Sequence, residues 1–251
     1  MTDQPVYMVV FPHPDDAEFH AGGTIRGLTR AGHKVFYTCL TSGNVGSYDR
    51  DMTRERLAET RRGELEAAAA ALGVERVFFL GYDDSTLYPN LEIRARVVRL
   101  LRLVKADVVL GLDPWKANLT HIDHRTAAWV AIEAASNAGW HLAHHEQVTC
   151  ERIEPHAVRE AHLFDTDDAN HYVDVTDTIE DKVRACLCHR SQIGFGVPKG
   201  EELERAMTET GDNIRRKARE VGAQCGYQYA EAFKVLGLGA GHAREVAGKH
   251  R

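Results

Sequence analysis

No stretch of this 251-residue chain approaches the roughly 18 consecutive apolar residues that a membrane span requires. Its opening, MTDQPVYMVVF, also lacks the basic stretch and small-residue cleavage site of a secretory signal. These two absences predict a cytoplasmic protein with no membrane insertion. Cysteine is sparse: the five residues Cys39, Cys150, Cys186, Cys188 and Cys225 are scattered, odd in number and form no Cys-x-x-Cys pair. That argues against a disulfide framework and a thiolate zinc site, and reduced thiols are expected. Basic charge is in deficit, with 31 Lys and Arg against 37 Asp and Glu and a net charge of −6. Such a balance gives no global attraction to nucleic acid or to an anionic membrane, so neither is expected as a partner. Internal repeats and low-complexity tracts are missing as well.

What the chain does have is the balance of a folded protein, 43% hydrophobic and 27% charged residues. The apolar, β-branched run at 6–11 is cut off by proline and reads as a buried strand. Residues 34–40, 76–80 and 107–112 read as three further strands. Helical patterns fall at about 20–30, 52–72, 91–105 and 122–138, and Gly73 and Gly139 act as stops. Strict strand-helix alternation predicts right-handed crossovers and an α/β fold: three layers, doubly wound and Rossmann-like, around a mainly parallel sheet. After Gly139 the pattern loosens into strands near 162–165 and 171–175 and helices at about 176–190 and 201–221. This half is expected to complete the first unit and to lid it through residues 140–200. Residues 1–238 then form a single catalytic domain, and 239–251 read as a mobile tail.

In an open parallel sheet, ligands bind outside the carboxyl ends of the strands. Two clusters of acids and histidines lie there: His13-Pro14-Asp15-Asp16 after the first strand, and His121-Ile122-Asp123-His124 beyond the fourth. Two imidazoles and one carboxylate make a three-ligand set that leaves zinc an open position. Adjacent side chains in a turn point apart, so of Asp15 and Asp16 one can bind metal while the other faces the bound water as a general base. His121 and His124, three residues apart, divide between ligand and proton donor, and Asp123 can orient an imidazole. The plainer reading makes these acids helix caps or first-turn residues. Gly22-Gly23 lacks dinucleotide-fingerprint spacing and reads as close helix-to-sheet packing. His144-His145 is expected on the surface, Cys186 and Cys188 as partly buried thiols, and His189 in packing or support.

The segments PHPDDAEFHAGGTI, ETRRGELEAAAAALGV, FLGYDDS, HIDHR, HRSQ and YAEAF together resemble the PIG-L/LmbE-like family of zinc-dependent de-N-acetylases, over residues 6–236. The paired HPDD and HxDH motifs in that order carry most of the specificity. The resemblance implies that His13, Asp16 and His124 hold the metal, that Asp15 is the general base, and that His121 stabilises the tetrahedral intermediate with Asp123 orienting it. It also implies that Arg61 and Asp84 hold sugar hydroxyls, with Arg62 and Asp83 adjacent to them. The expected function is a metal-dependent hydrolase that removes an acetyl group from an N-acetylated amino sugar or glycoconjugate. In that reading Zn2+ is the cofactor with Fe2+ as alternative, protonated His121 faces the oxyanion, and the partner is a small-molecule N-acetyl sugar. A homo-oligomer is compatible with the sequence. The alternatives are an amidase on a thiol conjugate or other larger amide, a hydratase-like relative, and a non-catalytic sugar-binding protein.

Overall fold

The alternating apolar runs fold as strands and helices in nearly the predicted order. The computed structural model describes residues 4–238. Strands β1 (Val6–Phe11), β2 (Lys34–Thr41), β3 (Arg76–Tyr82), β4 (Val108–Leu112), β5 (Glu160–Phe164), β6 (His171–Asp174) and β7 (Ala230–Gly237) make one sheet in the order β3-β2-β1-β4-β5-β7-β6. The first five run parallel, with Val6 opposite Lys34 and Tyr7 opposite Val108, whereas β7 is antiparallel to both neighbours.

Helices α1 (Asp16–Arg30), α2 (Arg54–Leu72), α3 (Leu91–Val104), α4 (Ile122–Ala138), α5 (His145–Thr149), α6 (Ile179–Cys186) and α7 (Gly200–Cys225) complete the chain, with a 3-10 segment at Arg190–Gly196. Alternation along β1 separates two cores. Met8 and Val10 pack with Val97, Leu101 and Ala131 of α3 and α4, while Val9 and Phe11 pack with Ala21, Ile25, Leu65 and Leu72 of α1 and α2. Both faces of the sheet are therefore covered, as near-continuous apolar strands require. Thr53 caps α2 through Arg56 N, Asn90 caps α3 through Ile93 N, and Gly73 ends α2 at φ 79°.

The differences from expectation are local. Helix α1 begins at Asp16 rather than at His20, directly out of the turn after β1. Helix α6 is shorter than 176–190, α7 is longer than 201–221, and β7 lies beyond the expected strands. A third apolar cluster, including Ile179, Val183, Ile214 and Ala218, joins α6 to α7. The Gly22-Gly23 pair has the plain use: a Cβ on Gly23 would lie 2.7 Å from Val175. Cys186 is fully buried rather than partly so. No helix among the described residues is long and apolar enough to cross a membrane. The tail at 239–251 lies outside the described residues.

The chain runs β1, β2, β3 outward in one direction and then returns to place β4 on the other side of β1. The loops after β1 and β4 consequently diverge and leave a crevice at the switch point. Both acid-histidine clusters border that crevice.

Candidate active site

The turn after β1 is fixed by reciprocal bonds: His13 N donates to Asp16 Oδ2 at 2.9 Å and Asp16 N to His13 O at 3.2 Å. Asp15 occupies the N-cap position of α1 at φ 152°, ψ −27°, with no side-chain capping bond. Capping therefore does not explain this residue, and a backbone so far from the allowed regions costs about 1–3 kcal/mol. Its carboxylate turns to Arg61, 3.2 Å away on α2. Arg61 is 3% exposed and donates to Gly43 O and Pro14 O, each at 2.9 Å. Burial raises the Asp15 pKa, Arg61 lowers it, and the balance places it at about 6.

The second cluster opens α4. His121 caps that helix, its Nδ1 accepting from Asp123 N at 3.3 Å. A neutral His121 then carries its proton on Nε2. Burial, followed by the charges of His13 and His124, pushes its pKa below 6.5. The Asp123 carboxylate is fully buried and accepts from Ser85 N at 2.6 Å and Leu87 N at 3.0 Å, in the loop after β3. It also lies 3.1 Å from His13 Nε2, so it supports His13 and not His121, contrary to the expected pairing. Only the Asp123 backbone N–H meets His121, while its carboxylate is held by the loop after β3.

The rings of His13, His121 and His124 form a triangle with centroids 4.8–5.1 Å apart. Asp16 bridges two of them, 3.4 Å from His13 Nδ1 and 3.6 Å from His124 Nε2. One donor atom each from His13, Asp16 and His124 lie within 4.8 Å of one another, and so do donors from His13, Asp84 and His121. Two imidazole nitrogens and a carboxylate oxygen suit a borderline divalent metal, so the donor chemistry fits the implied ion. Burial disfavours a charge on His13, yet bonds to Asp123, Asp16 and Asp84 raise its pKa well above 6.5. That field favours any cation, proton or metal.

The structure also separates adjacent candidates. Arg62 and Asp83 expose 54% and 61% of their side chains, whereas Arg61 and Asp84 are buried toward the crevice. Asp84 accepts from Val45 N and Ser85 Oγ, and its Oδ1 lies 3.2 Å from His13. Sequence reasoning missed a buried pair behind the turn, His189 Nε2 to Glu18 Oε2 at 3.1 Å, both residues fully enclosed. The signal was there in the acid two residues after the HPDD motif, in the first turn of α1.

The model of the family described as PIG-L, GlcNAc-PI de-N-acetylase, matches residues 8–135, which include both clusters. The chain belongs to the PIG-L family. A diacetylchitobiose deacetylase of Thermococcus kodakarensis is 32% identical over 229 residues, covering 91% of this chain and 82% of that protein. A probable N-acetyl-alpha-D-glucosaminyl L-malate deacetylase 2 of Bacillus cereus is 31% identical over 74% of this chain and 82% of its own. Among solved structures, the N,N'-diacetylchitobiose deacetylase of Pyrococcus horikoshii superposes with a TM-score of 0.84 at 30% identity, covering 94% of this chain and 85% of that one. The α/β fold of this PIG-L member is thus that of a solved deacetylase.

Proposed function

We propose that this protein is a metal-dependent de-N-acetylase that removes the acetyl group of an N-acetylated amino sugar or its glycoconjugate, with residues 1–238 serving as one catalytic domain. The observation that carries the reading is the convergence of His13, Asp16 and His124 donors within 4.8 Å, beside a strained Asp15. In this reading the three residues hold zinc, and ferrous iron is the alternative that metal analysis distinguishes. When bound, the ion supplies Lewis acidity, lowering the pKa of a water it binds and polarising the amide carbonyl. Asp15, held by Arg61, takes the proton of the attacking water and delivers it to the departing nitrogen. His121 presents its Nε2 proton to the oxygen that gains negative charge, since its Nδ1 is occupied by a backbone N–H. This assigns His121 as a neutral donor in place of the imidazolium expected from resemblance. Arg61 is engaged within the protein by Gly43 O, Pro14 O and Asp15, and Asp84 by Val45 N and Ser85 Oγ, so their action on sugar hydroxyls rests on the resemblance alone.

The test is acetate release from a panel of N-acetyl sugars by metal-quantified protein. The expected result is one transition metal per chain and release that disappears on chelation. Protein that carries no such metal and gains no activity from added zinc or iron would overturn the reading.

A further inference from the structure

The HRSQ segment at 189–192 sends three side chains to three different elements around Asp15. His189 meets Glu18 on α1. Ser191 grips α2 twice, its N donating to Glu64 Oε1 at 2.7 Å and its Oγ to Glu64 Oε2 at 2.6 Å. Gln192 Nε2 donates to Gly46 O, in the loop after β2, at 3.2 Å and to Ser191 Oγ at 3.0 Å. Two bonds to one carboxylate are of the stronger, charge-assisted kind. Glu64 stands three residues from Arg61, a neighbour on the same face of α2. The Arg61 guanidinium in turn lies flush against the Gly43–Gly46 loop. A Cβ on Gly43 would fall 2.5 Å from Arg61 Cζ, and one on Gly46 would fall 3.0 Å from both Arg61 Nη1 and Gln192 Oε1. Arg61 Nε is buried with no hydrogen-bond partner among the described residues. The guanidinium is therefore oriented by its Nη bonds and by this packing.

We propose that Ser191 and Gln192 are positioning residues for Asp15: anchored on α2 through Glu64 and on the loop through Gly46 O, they hold the loop against Arg61, and Arg61 aims the Asp15 carboxylate. The inference rests on the de-N-acetylase reading, in which Asp15 is the base. Arg61 is the cation that meets Asp15, at 3.2 Å, and it also bonds Pro14 O and Gly43 O, so the turn and the loop share one guanidinium. Gly46 lies between that guanidinium and Gln192, which leaves the loop no room to shift without moving one of them. A misplacement of about 1 Å in a reacting group costs about 10²-fold in rate. A loosened bracket should accordingly reach turnover through Asp15 while His13, Asp16 and His124 keep their places.

The experiment measures acetate release from N-acetylglucosamine and N,N'-diacetylchitobiose by metal-loaded wild type, Ser191→Ala, Ser191→Thr and Gln192→Ala. Ser191→Ala and Gln192→Ala should each lower kcat about tenfold or more, with KM and metal content unchanged. Ser191→Thr keeps the hydroxyl and should recover most of the loss. In the Asp15→Asn background the same two alanine substitutions should cost less than about twofold, because the base they aim is gone. A merely structural role would cost the same factor in both backgrounds. That result, or an unchanged kcat in the single variants, overturns the proposal while the de-N-acetylase reading stands. Amide hydrogen exchange on the same metal-loaded proteins gives a readout free of turnover. Both alanine variants should exchange about fivefold faster or more across residues 13–16 and 43–48. Such a spread supports the bracket even if neither sugar releases acetate, an outcome that counts against the de-N-acetylase reading instead. Faster exchange confined to 189–196, or none, overturns the bracket.

Discussion

Asp15 combines a strained backbone at φ 152°, a half-buried carboxylate and one cationic partner, Arg61, whose remaining donors fix Gly43 O and Pro14 O. Strain persists only where the surroundings over-determine it, and Arg61 is the side chain that ties this turn to α2 and the loop after β2. Asp15→Asn keeps the shape and removes the base, so kcat should fall about 10²- to 10⁴-fold with metal content intact. A variant that lost its metal would place Asp15 among the ligands. Arg61→Ala leaves two buried carbonyls without donors and frees Asp15, and is expected to cost about 1–3 kcal/mol of stability besides most of the rate. Denaturant titration alongside kinetics reads both. The Asp15 pKa of about 6 makes the base form dominant above that value, so the rate should fall as pH drops through it. A bound divalent cation favours the carboxylate further, which moves this acid limb below pH 6 and never above it. For His121, the neutral-donor role predicts that His121→Ala loses about 10²- to 10³-fold in kcat. His121→Gln, which keeps an N–H, should recover part of it; failure to recover any would return His121 to the role of a proton-donating acid.

Helix α1 carries Asp16 and is clamped by elements from the far half of the chain. Glu231 on β7 takes two of its backbone N–H groups, Lys182 on α6 balances that charge, and His189, just beyond α6, meets Glu18. Burial alone would lower the His189 pKa, but the Glu18 hydrogen bond and charge, aided by Asp15 and Glu64, raise it above 6.5. A raised value means that this pair's stabilisation is fully present below about pH 6.5, the unfolded-state value, and is lost as pH rises through the folded one. Chemical denaturation of wild type and His189→Gln across pH 5.5 to 9 should therefore show a stability gap that is widest in acid and narrows in base. A gap independent of pH would mean that His189 is neutral throughout. The same clamp explains what the sequence could and could not convey. Strands β1, β2 and β4 and helices α2, α3 and α4 were legible because proline, glycine and apolar runs mark them locally. Strand β7, AEAFKVLG, was not, because Glu231 and Lys234 interrupt its apolar pattern. Glu231 is buried all the same, its charge answered by α1 atoms more than 200 positions away. The two acid-histidine clusters were legible because each residue type announces its chemistry, whereas the choice of His13, Asp16 and His124 among them, and of His121 as the partner of Asp123, came from the resemblance; the fold sets the Asp123 carboxylate 3.1 Å from His13.

At the scale of the whole molecule, the switch point gathers Asp15, Asp16, Asp84 and Asp123 around three histidines on loops after β1, β3 and β4. Four carboxylates so close favour a cation bound in the folded state alone, because the unfolded chain scatters the donors. An ion present at about 100 times its dissociation constant then stabilises the fold by about 2.7 kcal/mol. For a chain of this size that corresponds to roughly 5–10 °C in melting temperature. Chelation should lower the melting temperature by about that amount, and restored zinc or iron should recover it. Asp15→Asn should keep the shift, whereas Asp16→Ala and His124→Ala should melt at one temperature with and without chelator. The shift must also depend on pH. With no metal bound, the carboxylates hold a proton on His13 well above the ordinary range, and the ion has to displace it. Metal binding therefore releases a proton, and the chelator-sensitive part of the melting temperature should shrink as the solution is made more acid. A shift that grew in acid, or one that Asp16→Ala left untouched, would place the stabilising ion elsewhere than on His13, Asp16 and His124.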